Sequence, residues 1–465
     1  MADRAPLRLA VFALLWAALA QAASAGWLSK SEKEITAEAD GFVKNKPDAL
    51  QPFFHTLYME GEWNAVLNFD LLALAALEVN RADIAEKALD QATKRIGATF
   101  SDDPQGHAAR AQWAAQDVRD FRGEPYERAM AFYYRGLLYL RADDLAAART
   151  AFVQAAQQNA LGQAEEYPST FALPLYLAAW TASCVGDAPG ADALLASAQK
   201  FAPDPFVRQA AAPLPRHITI FERGMGPRKV TTAESRSNLR FLPRPDVKGA
   251  VVEIRYAKRP HDAPLRGVAA NLDWLAMTRG GRQVVGIADG RAQYPDGPGP
   301  AKAPGAKDAA TPAAEVPDPE AAAAFYGSLS TLGGDNVSIA RRLGMAASRS
   351  SLLGATSAGA PRPGRTDADT RYWGSLPKLV YVEAYAEEVG LEAGDISTPA
   401  TAVARPALLQ GRHEDKCSFA FGREFSALDA TQGGIGNPSP WPAEPLEDNR
   451  EKANEALRTG LRSAF

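Results

Sequence analysis

From Gly26 to about Pro213, apolar and polar positions alternate with helical spacing, and alanine leads the apolar set. Ala85, Leu89 and Ala92 are echoed by Ala148, Phe152 and Ala155, and again by Ala191, Leu195 and Ala198. Each set keeps a step of four and then three, which places its members on one helix face. A second helix precedes each set, marked by Ala73 and Ala76, Gly136 and Tyr139, and Ala179 and Ala182. Short polar turns join the two helices: Asn80-Arg81, Asp143-Asp144 and Gly186-Asp187.

The pattern predicts helix–turn–helix units of the tetratricopeptide type, stacked side by side. Small residues let paired helices approach, while Phe or Leu fills the gap to the next pair. The middle unit is the best formed, with Phe132, Gly136, Tyr139, Ala148, Phe152 and Ala155 in register. Arg135 takes the place of the usual leucine, and Ala160 stands where a closing proline is expected; the third unit does close with Pro203. The alanine markers are spaced more widely than in an ideal array. Additional segments, 101–128 and the acidic turn QAEEYPS, fill the gaps.

After Pro213 the period changes. HITIFE (217–222), AVVEIRY (250–256), RQVVGI (282–287), KLVYVEAY (378–385) and the shorter CSFAF (417–421) favour strands through β-branched and aromatic content. A β-rich domain is expected, a sandwich or small barrel. The Pro/Ala-rich run from Pro295 to Pro319 cannot bury enough apolar surface to order itself. The predicted fold class is therefore α+β and multidomain, with N-terminal helical repeats, a β-rich C-terminal domain and a disordered insertion. The expected boundaries are 1–25 for a signal peptide, 26–213 for the repeats and 214–294 for the first β part. Residues 295–319 form the linker, 320–366 a helical segment with a flexible loop, 367–440 the second β part and 441–465 a C-terminal helix. That last helix reads as amphipathic and exposed.

The chain is 465 residues long with a net charge of −4, which supplies no bulk attraction to nucleic acid or anionic lipid. Arg4 and Arg8 precede an apolar run, Leu9 to Ala20, and Ala23-Ser24-Ala25 offers a small-residue cleavage site. This is the layout of a secretory signal cut after Ala25, so a periplasmic or secreted location is expected. No cysteine stands at the cut, which argues against lipid attachment there. Export permits a bridge between the two cysteines, but Cys184 and Cys417 lie in unrelated contexts, and two separate buried thiols are expected.

Candidate chemistry is sparse. In Gly123-Glu124-Pro125-Tyr126-Glu127-Arg128, proline suits the first helical position, and Glu124 before it is pushed to extended geometry. Glu127 favours the helix dipole, and Glu124 and Arg128 are spaced for an i,i+4 ion pair. Every charge has a structural task, so the cluster reads as a helix start and not an active site. In ERGMGPRK, Gly224 and Gly226 before Arg228 and Lys229 lack the spacing and terminal Lys-Ser/Thr of a phosphate loop; a strand-to-strand turn with basic tips is expected. Asp367 and Asp369 read as loop charges, since no further oxygen ligand follows in register. The five histidines form no metal motif, and Gly433-Gly434-Ile435-Gly436 lies in a proline-rich loop rather than between strand and helix.

The stretches FRGEPYERAMAFYYRGLLYL, AARTAFVQAAQQNA, GPRKV and DTRYWGSLP, in this order, resemble a little-characterised group of exported bacterial tetratricopeptide proteins, some of them lipoproteins. The resemblance implies fold and location and no enzymatic activity. The functional expectation is a non-catalytic scaffold or adaptor of the cell envelope, binding a protein or peptide in the groove of the repeats. Arg228, Lys229 and Trp373 are its candidate contact surface, and no cofactor, metal or nucleic acid is expected. The alternative is an enzyme or small-ligand binder with its site between the helical and β domains. Peripheral membrane association through the final helix is a third possibility.

Overall fold

The computed structural model describes residues 30–100, 120–121, 123–160, 170–200, 202–231, 238–244, 253–256, 265–279, 282–283, 286–288, 291–293, 369–386, 391–397, 408–414, 416–428 and 448–465. The expected signal peptide, most of 101–128, the QAEEYPS turn up to Ser169, the Pro/Ala-rich linker, the segment 320–366 and the glycine run 433–436 lie outside the described residues. The chain is an α+β arrangement of helices and sheets. It divides into two compact units, Met1–Glu62 with Pro442–Phe465, and Trp63–Trp441. The change of period at Pro213 thus marks a change of element type inside one unit.

In the smaller unit, α1 (Glu32–Val43) opens on a capping box in which Ser31 and Glu34 bond each other's backbone N–H. It is followed by α2 (Gln51–Glu60). The larger unit begins with three helical hairpins. These are α3 (Ala65–Glu78) with α4 (Ala82–Phe100), α5 (Pro125–Arg141) with α6 (Leu145–Ala160), and α7 (Ala172–Cys184) with α8 (Ala188–Lys200). Their turns repeat the same backbone hydrogen bonds. Asn80, Asp143 and Gly186 each take a left-handed backbone, with φ of 57°, 61° and 82°. The next N–H in each turn reaches back to the carbonyl of Ala76, Tyr139 or Ala182. This is the Schellman ending of a helix, three times over. Each following helix then bonds Ala85, Ala148 or Ala191 to the carbonyl of Arg81, Asp144 or Asp187, so the alanine markers coincide in space as in sequence. Gly136 shows why a small residue is needed: a Cβ there would collide with the Phe152 ring.

The first helix of each hairpin is buried along most of its length, and α3 and α7 are apolar nearly all round; every residue of α7 but Ser183 is buried. Two of the second helices keep one wet face, α4 with Asp83, Lys87, Asp90 and Lys94 and α8 with Asp192, Ala193 and Lys200. What covers the first helices is the chain's own sheet, reached through α9 (Pro205–Gln209). The strands are β1 (His217–Met225), β2 (Arg228–Thr231), β3 (Asn238–Leu242), β4 (Glu253–Tyr256) and β5 (Leu265–Asn271). After α10 (Leu272–Met277) come β6 (Thr278–Arg279), β7 (Arg282–Gln283), β8 (Gly286–Ala288), β9 (Arg291–Gln293), β10 (Pro377–Tyr385), β11 (Leu391–Ser397), β12 (Leu409–His413) and β13 (Cys417–Arg423).

Five strands form one sheet in the order β12-β13-β1-β10-β5, with β1 and β13 parallel and the other pairs antiparallel. Four more form β2-β3-β8-β9. The five-stranded sheet is open and packs on helices, which corrects the expected sandwich or barrel. Burial along β1 explains this: His217 to Arg223 are all buried, as in a strand covered on both faces. Tyr134 of α5 touches Phe421 at 6.2 Å between ring centres. By the two-residue alternation of strands, Ile218, Ile220 and Glu222 share that helix-facing side with Phe419, Phe421 and Arg423, their register partners.

Cys184, the last residue of α7, and Cys417, the first of β13, form a disulfide with Cα atoms 5.9 Å apart. This corrects the expectation of two separate thiols. Sequence distance concealed a neighbourhood that the packing of helix on sheet creates.

The smaller unit is completed by α11 (Asp448–Ala464), whose Asn454, Leu457, Arg458 and Leu461 are buried. Their spacing of three, four and seven is one helix stripe, so the expected exposed helix has a buried face. Arg458 Nε donates to the Tyr58 carbonyl at 3.3 Å, and Asn454 Oδ1 accepts the Glu62 N–H at 2.9 Å. Phe54 meets Phe465 with ring centres 5.3 Å apart. Among the described residues, no helix is long and apolar enough to cross a membrane.

Candidate functional site

Three short motifs, far apart in sequence, meet in the interior of the larger unit. GEPYER supplies Glu124 and Glu127 at the start of α5. GPRKV supplies Lys229 on β2, and DTRYWGSLP runs as a strap from Asp369 to Pro377, with a turn at Gly374-Ser375. Glu127 is the hub. One carboxylate oxygen accepts the Glu124 N–H and the other the Trp373 N–H, both at 2.6 Å. Lys229 Nζ pairs with Glu124 at 2.7 Å. Arg371 forks onto Asp369 through two bonds of 2.8 Å and donates onward to the Trp63 carbonyl and Asn64 Oδ1, at 3.0 and 2.9 Å. Its guanidinium also lies 4.8 Å from the Trp63 ring centre. GPRKV and the strap are joined directly as well: Gly226 N–H donates to the Leu376 carbonyl at 2.8 Å. A Cβ on Gly226 would approach the Pro377 carbonyl to 2.9 Å, so the close passage requires glycine.

Two turns along α5, Tyr134 leads into a second layer. Its hydroxyl bonds Glu222 at 2.9 Å, and Glu222 pairs with Arg423 at 2.8 Å. Arg423 donates to the Ser375 carbonyl and lies 3.7 Å from Glu78 at the end of α3. Glu78 in turn accepts from Ser426 Oγ and the Ala427 N–H. Trp373 bridges the two layers: its indole N–H donates to Ser375 Oγ at 2.9 Å, and its ring lies against Tyr134.

The electrostatics follow from burial. Desolvation raises the Glu127 carboxyl to about 7 against the pull of Lys229, and it raises Glu222 to about 7 against the pull of Arg423. Asp70 on α3 goes well above its ordinary value through burial, with the Glu127 charge adding to it, and its Oδ1 meets no hydrogen-bond donor among the described residues. Asp369 is driven the other way: burial alone would raise it, but Arg371 and Lys229 outweigh that and hold it below its ordinary value. The assembly is a dry, two-layer network of paired charges that ties α3 and α5 to the sheet. Chemically it contains carboxyl groups able to exchange protons near neutrality.

Each sequence-predicted position can now be placed. Gly123 adopts φ of 75°, Glu124 is extended, and Pro125 is the first helical residue. Tyr126 packs its ring against Phe241 at 5.9 Å. Arg128 is buried and donates to Gln158 Oε1 and the Gly123 carbonyl, at 3.0 and 2.8 Å. Phe132, Gly136, Ala148, Phe152 and Ala155 lie in the core, and Tyr139 is half-buried beneath the Arg135 guanidinium. Arg135 also pairs with Asp90 of the preceding hairpin at 2.7 Å, which accounts for an arginine at a leucine position. Arg228 is exposed. Lys229 and Trp373 are buried, at 6% and 2% exposure. They belong to the internal network and offer no outer surface, because Glu124 draws one inward and the strap carries the other.

Sequence reasoning missed Glu222, Arg423, Tyr134, Glu78, Asp70 and Arg371, and it read Asp369, which is paired with Arg371 in the interior, as a loop charge. A signal for the central pair was present. Glu222 is in phase with Ile218 and Ile220, and Arg423 is in phase with Phe419 and Phe421. Each charge occupies the next position of an apolar strand face, where only a buried partner makes it tolerable. Among the described residues, no group of three or more His, Cys, Asp or Glu is placed to hold a metal ion. No protein family, curated protein or solved structure matches the chain.

Proposed function

We propose that the chain is a non-catalytic scaffold or adaptor of the cell envelope, exported by its N-terminal signal, whose hairpins are tetratricopeptide-like repeats that receive a protein or peptide partner. One observation carries this reading: the residues of the distinctive motifs are spent on each other. Glu127, Lys229, Arg371 and Trp373 are at most 6% exposed. Their task is to lock repeats and sheet into one rigid body. The sheet and strap lie on the first helices, so partner contact falls to the wet faces of α4 and α8.

The test is capture of partners by the mature chain from envelope extracts, compared with a Lys87→Glu, Lys94→Glu variant. A partner held by the wild type and released by the variant supports the reading. Equal capture by both removes the helical face from it.

A second reading, a small-ligand or catalytic site at the junction of helices and sheet, is favoured by the two carboxyls near 7. It requires that Glu127→Gln abolish ligand binding while leaving stability intact. The scaffold reading requires a loss of stability instead, and thermal denaturation separates the two.

A further inference from the structure

Where two helical hairpins end against the five-stranded sheet, the segment HEDKC, which joins β12 to β13, brings a second group of reactive side chains together. Cys417, Phe419 and Phe421 share the helix-facing side of β13, and their register partners on β12 are His413, Gly411 and Leu409. Register partners stand on one face with Cβ atoms about 4.5–5.5 Å apart, so His413 is the cross-strand neighbour of Cys417. Contacts with the helices agree. A Cβ on Gly411 would meet the Leu140 carbonyl, near the end of α5, at 2.7 Å. His413 Nδ1 lies 2.7 Å from Asp143 Oδ1 in the turn that follows α5. Cys184 reaches Cys417 from the end of α7.

The disulfide thus has an imidazole beside it, and the imidazole has a carboxylate behind it. With Nδ1 donating to Asp143, Nε2 is left over, and His413 makes no other hydrogen bond among the described residues. The two sulfurs have unlike surroundings. Cys184 is the last residue of α7, where the negative end of the helix dipole disfavours a thiolate. Cys417 has the imidazole, which favours one when protonated. The neighbouring acids are engaged elsewhere: Asp144 accepts the Ala147 N–H at 2.9 Å, Asp187 pairs with Arg149 at 3.0 Å, and Glu414 pairs with Lys416 at 2.7 Å. Among the cations, Arg141 lies 3.8 Å from Glu86, and Arg412 falls on the opposite face of the sheet. Arg216 is exposed, its carbonyl accepting the Ser418 N–H at 3.1 Å. Cys184 and Cys417 are 5% and 3% exposed, but Val185 and Lys416 next to them are exposed, so the bridge lies just beneath the surface.

We propose that Cys184–Cys417 is a site of thiol–disulfide exchange with a dithiol, in which His413, positioned by Asp143, holds the Cys417 thiolate. One thiolate of the dithiol attacks Cys184 Sγ. The Cys184–Cys417 bond breaks, and its electron pair leaves on Cys417 Sγ, where the His413 imidazolium stabilises it. The direction of attack follows from the leaving group, since the more acidic thiol leaves faster. The second thiol of the dithiol, as its thiolate, then displaces Cys184 and closes the reagent as a disulfide. The dithiol gives up two electrons and two protons. Cys184 takes one proton through water, and the other passes to solvent while Cys417 stays a thiolate against the imidazolium. The exchange unties α7 from β13.

The test exposes the full chain, bridge intact, to dithiothreitol between about pH 6 and 8, traps free thiols with N-ethylmaleimide and counts them by mass spectrometry. Rates are divided by the concentration of reagent thiolate, which removes the titration of dithiothreitol itself. The corrected rate is expected to fall about tenfold or more as pH rises and the imidazole loses its proton. His413→Gln should be slow and flat over the same range. Asp143→Asn should lie between the two; the turn accepts asparagine, since Asn80 takes the same left-handed backbone in the first hairpin. The monothiol 2-mercaptoethanol should be captured as a mixed disulfide on Cys184, with Cys417 free to react with the trap. An ion pair that only ties the β12–β13 hairpin to α5 would leave the corrected rate independent of pH. That result, a mixed disulfide on Cys417, or a bridge that opens only in denaturant overturns the proposal. The wild-type pH profile and the mapped sulfur decide the matter should the variants fail to fold.

Discussion

At the residue scale, the glycines and the buried acids carry the sharpest consequences. Gly136 leaves no room for a methyl group beside Phe152. Gly136→Ala is therefore expected to cost about 1–3 kcal/mol by overpacking, read as a lowered Tm, and Phe152→Leu in the same chain should recover part of it. Glu127 and Glu222 hold their protons to about pH 7 when folded, against an ordinary value of 4.5. The folded state thus binds more protons than the unfolded state between these limits, and stability falls as pH rises through that window. Their contribution is fully present below about 4.5 and lost above 7, at most about 3 kcal/mol for each group. Glu127→Gln and Glu222→Gln should each flatten the decline of Tm between pH 5 and 8, even though each is less stable outright: the first sets an amide NH2 against one of the two backbone N–H donors, and the second leaves Arg423 without its carboxylate. An unchanged slope would show that neither group titrates in that range.

At the element scale, legibility followed how local each determinant is. The helical hairpins could be read because their markers repeat: Ala85, Ala148 and Ala191 occupy the same place after the same turn. Strands rich in β-branched and aromatic residues, such as β1 and β10, were equally plain. Edge strands β5 (LRGVAAN) and β12 (LQGRH) were not, since a central glycine and few β-branched residues erase the local signal. The charge network was invisible because each motif has a sufficient local explanation. Glu127 does sit in a first helical turn, and only Trp373, 246 residues on, reveals what else it does. The same applies to Cys184 and Cys417, which staple α7 to β13 across a separation of 233 residues. In the chain-entropy model, closing a loop of that length is worth about 5 kcal/mol. Reduction, or Cys184→Ser, should lower the Tm by a margin that reductant does not enlarge in the variant. A reductant effect that persists in Cys184→Ser would mean the bridge is not its source.

At the scale of the whole molecule, the division into two units predicts separable behaviour. Removing residues 448–465 takes Leu457, Arg458 and Leu461 from their places against α2. Amide exchange in residues 30–60 should then approach the rate of an unfolded chain, while α5, α7 and β1 keep their protection. Loss of protection throughout would show that the larger unit depends on the smaller one.

The smaller unit also has a meaning in time. Its contacts join partners as far apart as Lys30 and Glu455, 425 residues distant. A chain emerging from its N-terminus presents α1 and α2 long before α11 exists to cover them. During that interval Phe54 and Tyr58 stand without their final neighbours, accessible to chaperones and proteases alike. Closure of this unit reports that synthesis has run through to α11, so a prematurely ended product carries an open N-terminal segment by which it can be recognised and removed.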